Sequence, residues 1–532
     1  MTDAAKSPAL AQLIEDGSTL FQQGRFPEAE AACHRALAAD ADNVTALDLL
    51  GRIALETGRP QQAVEFFNRT LALNPDDAEV CRNLGVALAT RGDWGAALLR
   101  FQRALEIDPA YADGHIGVGN VYMAQRRYAE ALTCYRKALA LTPDSAKAHG
   151  NLGIALQRLG KPDEALACYQ KALALDPDVA DAHNNLGNAF LELGELNEAE
   201  SCFRKALQLN AAFAPAQCNL AVVLLLRGDL AAGLPLYERR FAGADRSQVA
   251  MSQETLATLA DKPRWQGEDL RGKTIFVWRE QGLGDAIMMV RYLPLLKEKG
   301  AGELIVSCHP ALRRILQGIP AVDRVIGDRD PLPLGDIDSH CPLMSLPYAF
   351  GTRLETIPNA VPYISVPPAM TEKWTPRLAA LEGLKVGLVW AGSRTQRKDF
   401  LRSIPFKEFI PLLAVPGMCF VSLQKGEAPG HGAVLDWMAE CEDFLDTAAL
   451  VQRLDLIISV DTAVAHLAGA LGRPLWLLNR FESEWRWLLE REDSPWYPTM
   501  RIFRQPALHD WGSVIERLAE ELRRLAARQT EN

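Results

Sequence analysis

Apolar and polar positions in the first half of the chain repeat on two scales. Locally they follow the spacing of amphipathic helices. Over a longer range the whole pattern returns every 34 residues. Gly51, Gly85, Gly119, Gly153 and Gly187 form one column, and Ala63, Ala97, Ala131, Ala165 and Ala199 a second. Aromatics form a third (Phe67, Phe101, Tyr135, Tyr169, Phe203), and Pro75, Pro109, Pro143 and Pro177 a fourth. Such columns predict two helices per repeat. The small residues let the helices approach, the aromatic fills the gap between neighbouring repeats, and the proline stops the second helix. Gly17, Ala29 and Cys33 extend the phase backwards, and Ala221, Gly233 and Tyr237 extend it forwards.

A period of 34 with these columns is the tetratricopeptide pattern. One helix pair cannot bury its apolar face alone, so an α-solenoid with a concave binding surface is expected, capped by atypical first and last members. The phase predicts a tail over 1–9, seven repeats over 10–247 and a linker over 248–272. From Lys273 the pattern changes: β-branched runs such as Thr274–Trp278 alternate with amphipathic helices. At ~150 residues per domain the chain has room for a solenoid and two α/β lobes. The lobes are expected over 273–368 and 385–532, the second ending in a helix, with a connection over 369–384 that begins after Pro367-Pro368.

Composition narrows the partners. Charged residues are 23% and hydrophobic ones 48%, ordinary for a globular protein. The net charge of -10 argues against a dedicated nucleic-acid binder. No run approaches the ~20 apolar residues that span a membrane, and Met1–Lys6 lacks the apolar core of a secretion signal; a cytoplasmic location is expected. Ten cysteines include no Cys-x-x-Cys. Cys134, Cys168 and Cys202, like His115, His149 and His183, are spaced by the repeat itself. Equivalent positions in stacked helices lie ~8–10 Å apart, too far to share one ion, so packing roles are expected and no metal site.

Three spellings look like chemistry and are discounted. Gly267 to Thr274 spells a phosphate loop, but a strand follows where a helix is needed. Asp328-Arg329-Asp330 and Asp336-Ile337-Asp338 spell the Asp-x-Asp of metal-dependent sugar transferases, in a Pro- and Gly-rich stretch that reads as a solvated loop.

Two other loops carry more. Arg279-Glu280-Gln281-Gly282-Leu283-Gly284-Asp285 follows the first strand and runs into a helix. Gly282 and Gly284 permit a tight turn and a close ligand, and Asp285 stands at the strand's carboxyl end, where ligands bind in open α/β sheets. It is equally well placed as a helix cap. The second loop, Asp461-Thr462-Ala463-Val464-Ala465-His466, joins the apolar strand Leu456–Val460 to a helix that begins with small residues. Its free N–H groups and macrodipole suit a diphosphate, with His466 one turn on; here too a capping Asp and a satisfied helical His is the simpler alternative.

Together, Gly-Leu-Gly-Asp at 282–285 and Asp461-Thr-Ala-Val-Ala-His466 resemble glycosyltransferase family 9, the ADP-heptose:lipopolysaccharide heptosyltransferases, over residues 273–528. The resemblance implies a GT-B fold of two Rossmann-like lobes facing across a cleft and a hexosyl- or heptosyltransferase working from a nucleotide-sugar donor. Asp285 matches the family's general base. Thr462, Ala463 and Val464 match backbone donors to the diphosphate, and Asp461 and His466 match residues lining the donor. Arg402 takes the place of a cation that neutralises the leaving group, where the family more often has Lys. Gly392 and Ser393, after the strand from Lys385 to Trp390, and Gln424 and Lys425 are further donor-binding candidates. Such chemistry needs no cofactor or metal if the helix end and cations stabilise the leaving diphosphate. The repeats resemble those of protein O-GlcNAc transferases: Asn83, Asn151, Asn185 and Asn219 share one position, where that family grips peptide backbone, while Leu49 and Gly117 interrupt the series. Asparagines there also serve as helix-packing residues.

A solenoid beside a transferase cleft suggests a polypeptide acceptor, and an inverting, metal-independent glycosyltransferase acting on protein is the leading expectation. A scaffold with an inactive or nucleotide-sensing transferase domain, and transfer to a lipid or glycan, are the alternatives. Trp485, Trp487 and Ser494-Pro495-Trp496-Tyr497 either border a sugar or cover a sheet edge.

Overall fold

The computed structural model describes residues 3–242, 257–393 and 399–530. The chain divides into two compact units, Met1–Ala211 and Ala212–Asn532.

The first unit is built of six helical hairpins from Asp3 to Leu209. The columns of the sequence explain its packing. A Cβ added at Gly51, Gly85, Gly119, Gly153 or Gly187 would lie 2.4–2.8 Å from the aromatic ring sixteen residues later, so only glycine lets the ring of one helix seat against the backbone of the other. The rings of Phe67, Phe101, Tyr135, Tyr169 and Phe203 are all at most 3% exposed. Second helices end at Leu73, Ile107, Leu141 and Leu175, two residues before the proline of each repeat. His115, His149 and His183 bond through Nε2 to the carbonyls of Pro109, Pro143 and Pro177 at 3.2, 2.9 and 2.9 Å. Their repeat spacing therefore reflects a turn-fastening role.

The second unit opens with a seventh hairpin, Ala214–Leu226 and Leu230–Tyr237, followed by a 3₁₀ turn over Glu238–Phe241. Two sheets follow. The first contains β1 (Thr274–Trp278), β2 (Glu303–Cys308), β3 (Arg324–Gly327) and β4 (Ser339–Pro342), all parallel, in the order β3-β2-β1-β4. The second contains β5 (Leu384–Val389), β6 (Met418–Ser422), β7 (Val434–Asp436), β8 (Leu456–Val460), β9 (Leu475–Asn479) and β10 (Met500–Arg504). Its order is β10-β9-β8-β5-β6-β7, again all parallel. β8 is buried along its whole length, as its continuous apolar sequence requires. The helix Trp511–Thr530 lays Val514, Ile515, Leu518 and Leu522 against the core of this sheet.

In such sheets ligands bind at the carboxyl ends of strands where the order reverses. The reversals fall between β1 and β4, and between β5 and β8. The loops after β1, β5 and β8 are those the sequence singled out. Lys273 and Thr274 of the phosphate-loop spelling lead into β1, so no helix N-terminus stands behind them. The Asp-x-Asp stretches are more structured than a solvated loop. Asp328 pairs with Arg279, Asp330 with Arg313, and Asp336 with Arg324. Asp338 accepts the Thr274 N–H at 2.7 Å, and Ile337 is 1% exposed in the core.

Candidate active site

Loop geometry after β1 gives Asp285 two tasks. The helix Leu283–Met289 begins behind Gly282, and Asp285 sits in its first turn, where Oδ2 accepts the Gly282 N–H at 3.0 Å. Its Oδ1 pairs with Arg486. Burial pushes the carboxyl above its usual range; Arg486 opposes this, while Glu484 and Asp461 add to it. A carboxylate shifted upward is a better proton acceptor near neutral pH than a free aspartate.

The loop after β8 is built differently. Thr462 precedes the helix Ala463–Ala470 in an extended conformation and its side chain makes no cap; its hydroxyl turns instead to Ser459 Oγ at 3.0 Å. Asp461 through Val464 are partly exposed, whereas the helix is buried from Ala465 onward. An uncapped helix end with accessible amides is the arrangement that receives an anion. Arg402 lies beside it. The guanidinium donates from Nη1 to the Asp461 carbonyl at 2.8 Å and from Nε to Asp399 Oδ1 at 2.9 Å. It spans the loop after β5, where a Cβ on Gly392 would come within 2.4 Å of Arg402 Nη2. Gly392 N–H donates to Ser403 Oγ at 2.9 Å, and Ser393 is exposed. Arg397 and Lys398, which precede Arg402 in its motif, lie outside the described residues.

The loops after β1 and β8 meet at Gly284. A Cβ there would fall 2.6 Å from His466 Cδ2 and 3.4 Å from Ala463 Cα, so the absence of a side chain is what lets them touch. His466 is 4% exposed. Its Nδ1 bonds the Tyr497 hydroxyl at 2.9 Å, its Nε2 lies 3.9 Å from Asp461 Oδ1, and Trp487 covers the ring at a centroid distance of 5.2 Å. Burial first, and then the cations Arg486, Arg291 and Arg402, hold its pKa well below the ordinary 6.5, so the imidazole is neutral. Asp285, Asp461, His466 and Arg402 thus belong to one cluster.

Other residues picked out by sequence are engaged elsewhere. Gln424 is 8% exposed and its Oε1 accepts the N–H groups of Trp390 and Ala391 at 3.3 and 3.0 Å, shaping the β5 loop. Lys425 donates to the carbonyls of Cys441 and Glu442 at 2.6 and 3.1 Å. Of the asparagine series, Asn83 is 3% exposed and accepts from Arg82, and Asn151 donates to Asn120 at 3.0 Å. Asn185 and Asn219 are partly exposed. The interruption at Gly117 has a steric cause, since a Cβ there would lie 2.4 Å from Phe101.

Sequence reasoning passed over Arg486, which lies between two tryptophans in a segment read only for its aromatics. Trp485, Trp487, Trp496 and Tyr497 are at most 4% exposed, so they form core, and Trp487 and Tyr497 fix His466 from it. Among the described residues no helix is long and apolar enough to cross a membrane.

Comparison with known proteins agrees with this division. Tetratricopeptide repeat descriptions match residues 20–82, 87–126, 112–178, 144–212 and 187–248. Glycosyltransferase family 9 (heptosyltransferase) matches residues 442–487, which take in the loop after β8 and Arg486 but not residues 282–285. The chain thus carries tetratricopeptide repeats across residues 20–248, and its later part is similar to glycosyltransferase family 9 over residues 442–487. It is 30% identical over 338 residues to Protein FlbA of Caulobacter vibrioides (strain ATCC 19089 / CIP 103742 / CB 15), a match covering 57% of this chain. The chain spans about half the length of that curated relative, 54%. Among solved structures, MamA is 30% identical over 30% of this chain and 94% of its own, with a TM-score of 0.27. TTC0263, a thermophilic TPR protein of Thermus thermophilus, is 26% identical over 34% of this chain and 99% of its own, with a TM-score of 0.32.

Proposed function

We propose that the second unit is an inverting, metal-independent glycosyltransferase that takes its sugar from a nucleotide-sugar donor, and that the repeats hold a polypeptide acceptor. The observation carrying this reading is the meeting of the two loops at Gly284 and His466, which gathers a proton acceptor, an open helix end and a cation in one place. The donor diphosphate lies at the amides of Ala463 and Val464 beside Arg402. An acceptor hydroxyl gives its proton to Asp285 as its oxygen bonds to the anomeric carbon. The bond from that carbon to the diphosphate breaks on the opposite face, and the leaving oxygen takes the electron pair. Arg402 and the helix end stabilise the charge that develops there, the kind of fixed electrostatic support that contributes most to such steps. Neutral His466 hydrogen-bonds the donor without adding charge.

A thermal-shift screen of the full-length protein against ADP-, UDP-, GDP- and CMP-linked sugars tests this, because a ligand bound only to the folded state raises its melting temperature. A shift with one nucleotide class that Arg402→Ala abolishes supports the reading. A second reading, a repeat-based scaffold with a nucleotide-sensing domain, is favoured by one fact: Asp285 is already paired with Arg486 and the loops are in contact. Nucleotide-sugar binding with neither transfer nor hydrolysis would select it. Labelling of a lipid or glycan, and of no protein, would redirect the acceptor.

A further inference from the structure

The seventh hairpin is tied into the loop that carries Asp285. Arg240, just beyond that hairpin, forms a two-pronged pair with Glu280, Nε to Oε2 and Nη2 to Oε1, both at 2.9 Å. Glu280 is 2% exposed and also accepts the Met344 N–H at 3.0 Å, so the loop is anchored from both sides. One residue on, Gln281 divides its carboxamide. Its Nε2 donates to the Tyr237 hydroxyl at 2.8 Å, and its Oε1 accepts from Arg486 Nη2 at 3.4 Å. That same Arg486 nitrogen pairs with Asp285. The Tyr237 ring packs against Trp485, with centroids 6.2 Å apart.

Arg486 is itself tightly placed. It lies in the 3₁₀ turn Trp485–Trp487, which ends at Leu488 with φ 50, a left-handed value that non-glycine residues adopt only where surroundings enforce it. Arg504 Nη2 enforces it, donating to the carbonyls of Trp487 and Leu488 at 3.3 and 3.0 Å. Glu484 takes Arg486 Nη1 at 3.2 Å.

We propose that the seventh helical hairpin is part of the active site: Tyr237, acting through Gln281, is a positioning residue that holds Arg486 against Asp285. The inference rests on the role assigned to Asp285 above. A repeat-type element then sets how readily the base takes up a proton, and loosening the chain frees Arg486 from the carboxylate. The charged and titratable groups facing Asp285 are Arg486 and Glu484 from the 484–488 segment and Asp461 and His466 from the loop after β8. The nearby Glu280–Arg240 pair balances its own charge.

The test reads the protonation of Asp285 in the full-length protein without any substrate. Thermal stability is measured from pH 4 to 8 for the wild type and Asp285→Asn, and the difference is plotted against pH. A carboxyl whose folded pKa is raised contributes stability that is present at low pH and lost as pH rises through the folded value, so the midpoint of the difference reports Asp285. The same pair of curves is then taken in Tyr237→Phe and Gln281→Leu backgrounds. The midpoint is expected to move upward, by about half a pH unit for Tyr237→Phe and more for Gln281→Leu, as Arg486 loosens. An unchanged midpoint in both backgrounds overturns the proposal, even if overall stability falls. Once a donor is identified, the acidic limb of the kcat profile should shift the same way in Tyr237→Phe, with KM for the donor within about twofold. Moved stability midpoints without any transferase activity would retain the positioning chain and reject only the assignment of Asp285 as base.

Discussion

Two loops at the carboxyl ends of parallel strands, each carrying an aspartate, solve the same local problem in opposite ways. In the loop after β1 the chain fills its own helix end: Asp285 takes the Gly282 N–H. In the loop after β8, Asp461 lies outside the helix, Thr462 makes no side-chain cap, and the amide end stays open beside Arg402. A free helix N-terminus leaves up to four donors unsatisfied and carries about half a positive charge. Where a protein supplies its own carboxylate, that charge holds the carboxylate in place. Where it supplies none, a foreign anion is the natural occupant. Under the proposed function, the same motif serves as a fixed base in one lobe and as an anion site in the other.

This contrast can be broken at either end. The largest effect is expected from Asp285→Asn, which keeps the shape of the first loop and removes the proton acceptor. Sugar transfer should fall by about 10²–10⁴-fold while donor affinity stays nearly unchanged, measured by product formation and by titration with the donor. Thr462→Asp gives the second helix end a carboxylate of its own, at the N-cap. A carboxylate at the N-cap should raise stability by about 0.5 kcal/mol in urea unfolding, yet repel the diphosphate and cut donor affinity by about tenfold or more. A stabilised variant with worsened binding is an outcome that a purely structural helix end would not give.

Smaller effects sharpen the contact between the loops. Gly284→Ala places a methyl 2.6 Å from His466 Cδ2, and the crowding should cost about 1–3 kcal/mol in urea unfolding. Gly335→Ala, with nothing within 4 Å, should lie within about 0.5 kcal/mol of the wild type. His466, held neutral, adds a pH dependence. Its folded pKa lies well below that of the unfolded chain, so its contribution is complete at neutral pH and is lost as pH falls below about 6.5. His466→Gln should flatten stability between pH 7 and pH 5, checked by melting temperature across that range.

The solenoid was legible in the sequence because its rules are local. Gly85 faces Phe101 sixteen residues away, and the pair recurs in phase with its neighbours, so four columns suffice to deduce the hairpin. The burial of β8 in a parallel sheet was legible too, since the strand is apolar throughout. Asp285, Thr462 and His466 stand next to glycines and small residues that mark strand-to-helix turns. Arg486 carries no such mark: its partner is 201 residues away in sequence, and only the sheet order brings the two together. Lys425 and Gln424 show the converse. Polar residues after a strand look available to a ligand, yet backbone carbonyls and N–H groups of neighbouring loops take them first. Asn83 matches the series by spacing and is nevertheless buried with its Oδ1 taken by Arg82, a local packing outcome that one column of the repeat does not encode.

The central claim is that the loop after β8 holds a nucleotide diphosphate and the loop after β1 supplies the base. Calorimetric titration of the wild type, Arg402→Ala and Asp285→Asn with the nucleotide sugar found by thermal shift tests it most directly. Arg402→Ala is expected to weaken binding by about tenfold or more, whereas Asp285→Asn should bind as the wild type does and transfer at least about 10²-fold more slowly. Loss of binding in Asp285→Asn with Arg402→Ala unaffected would contradict it and place the donor in the other lobe.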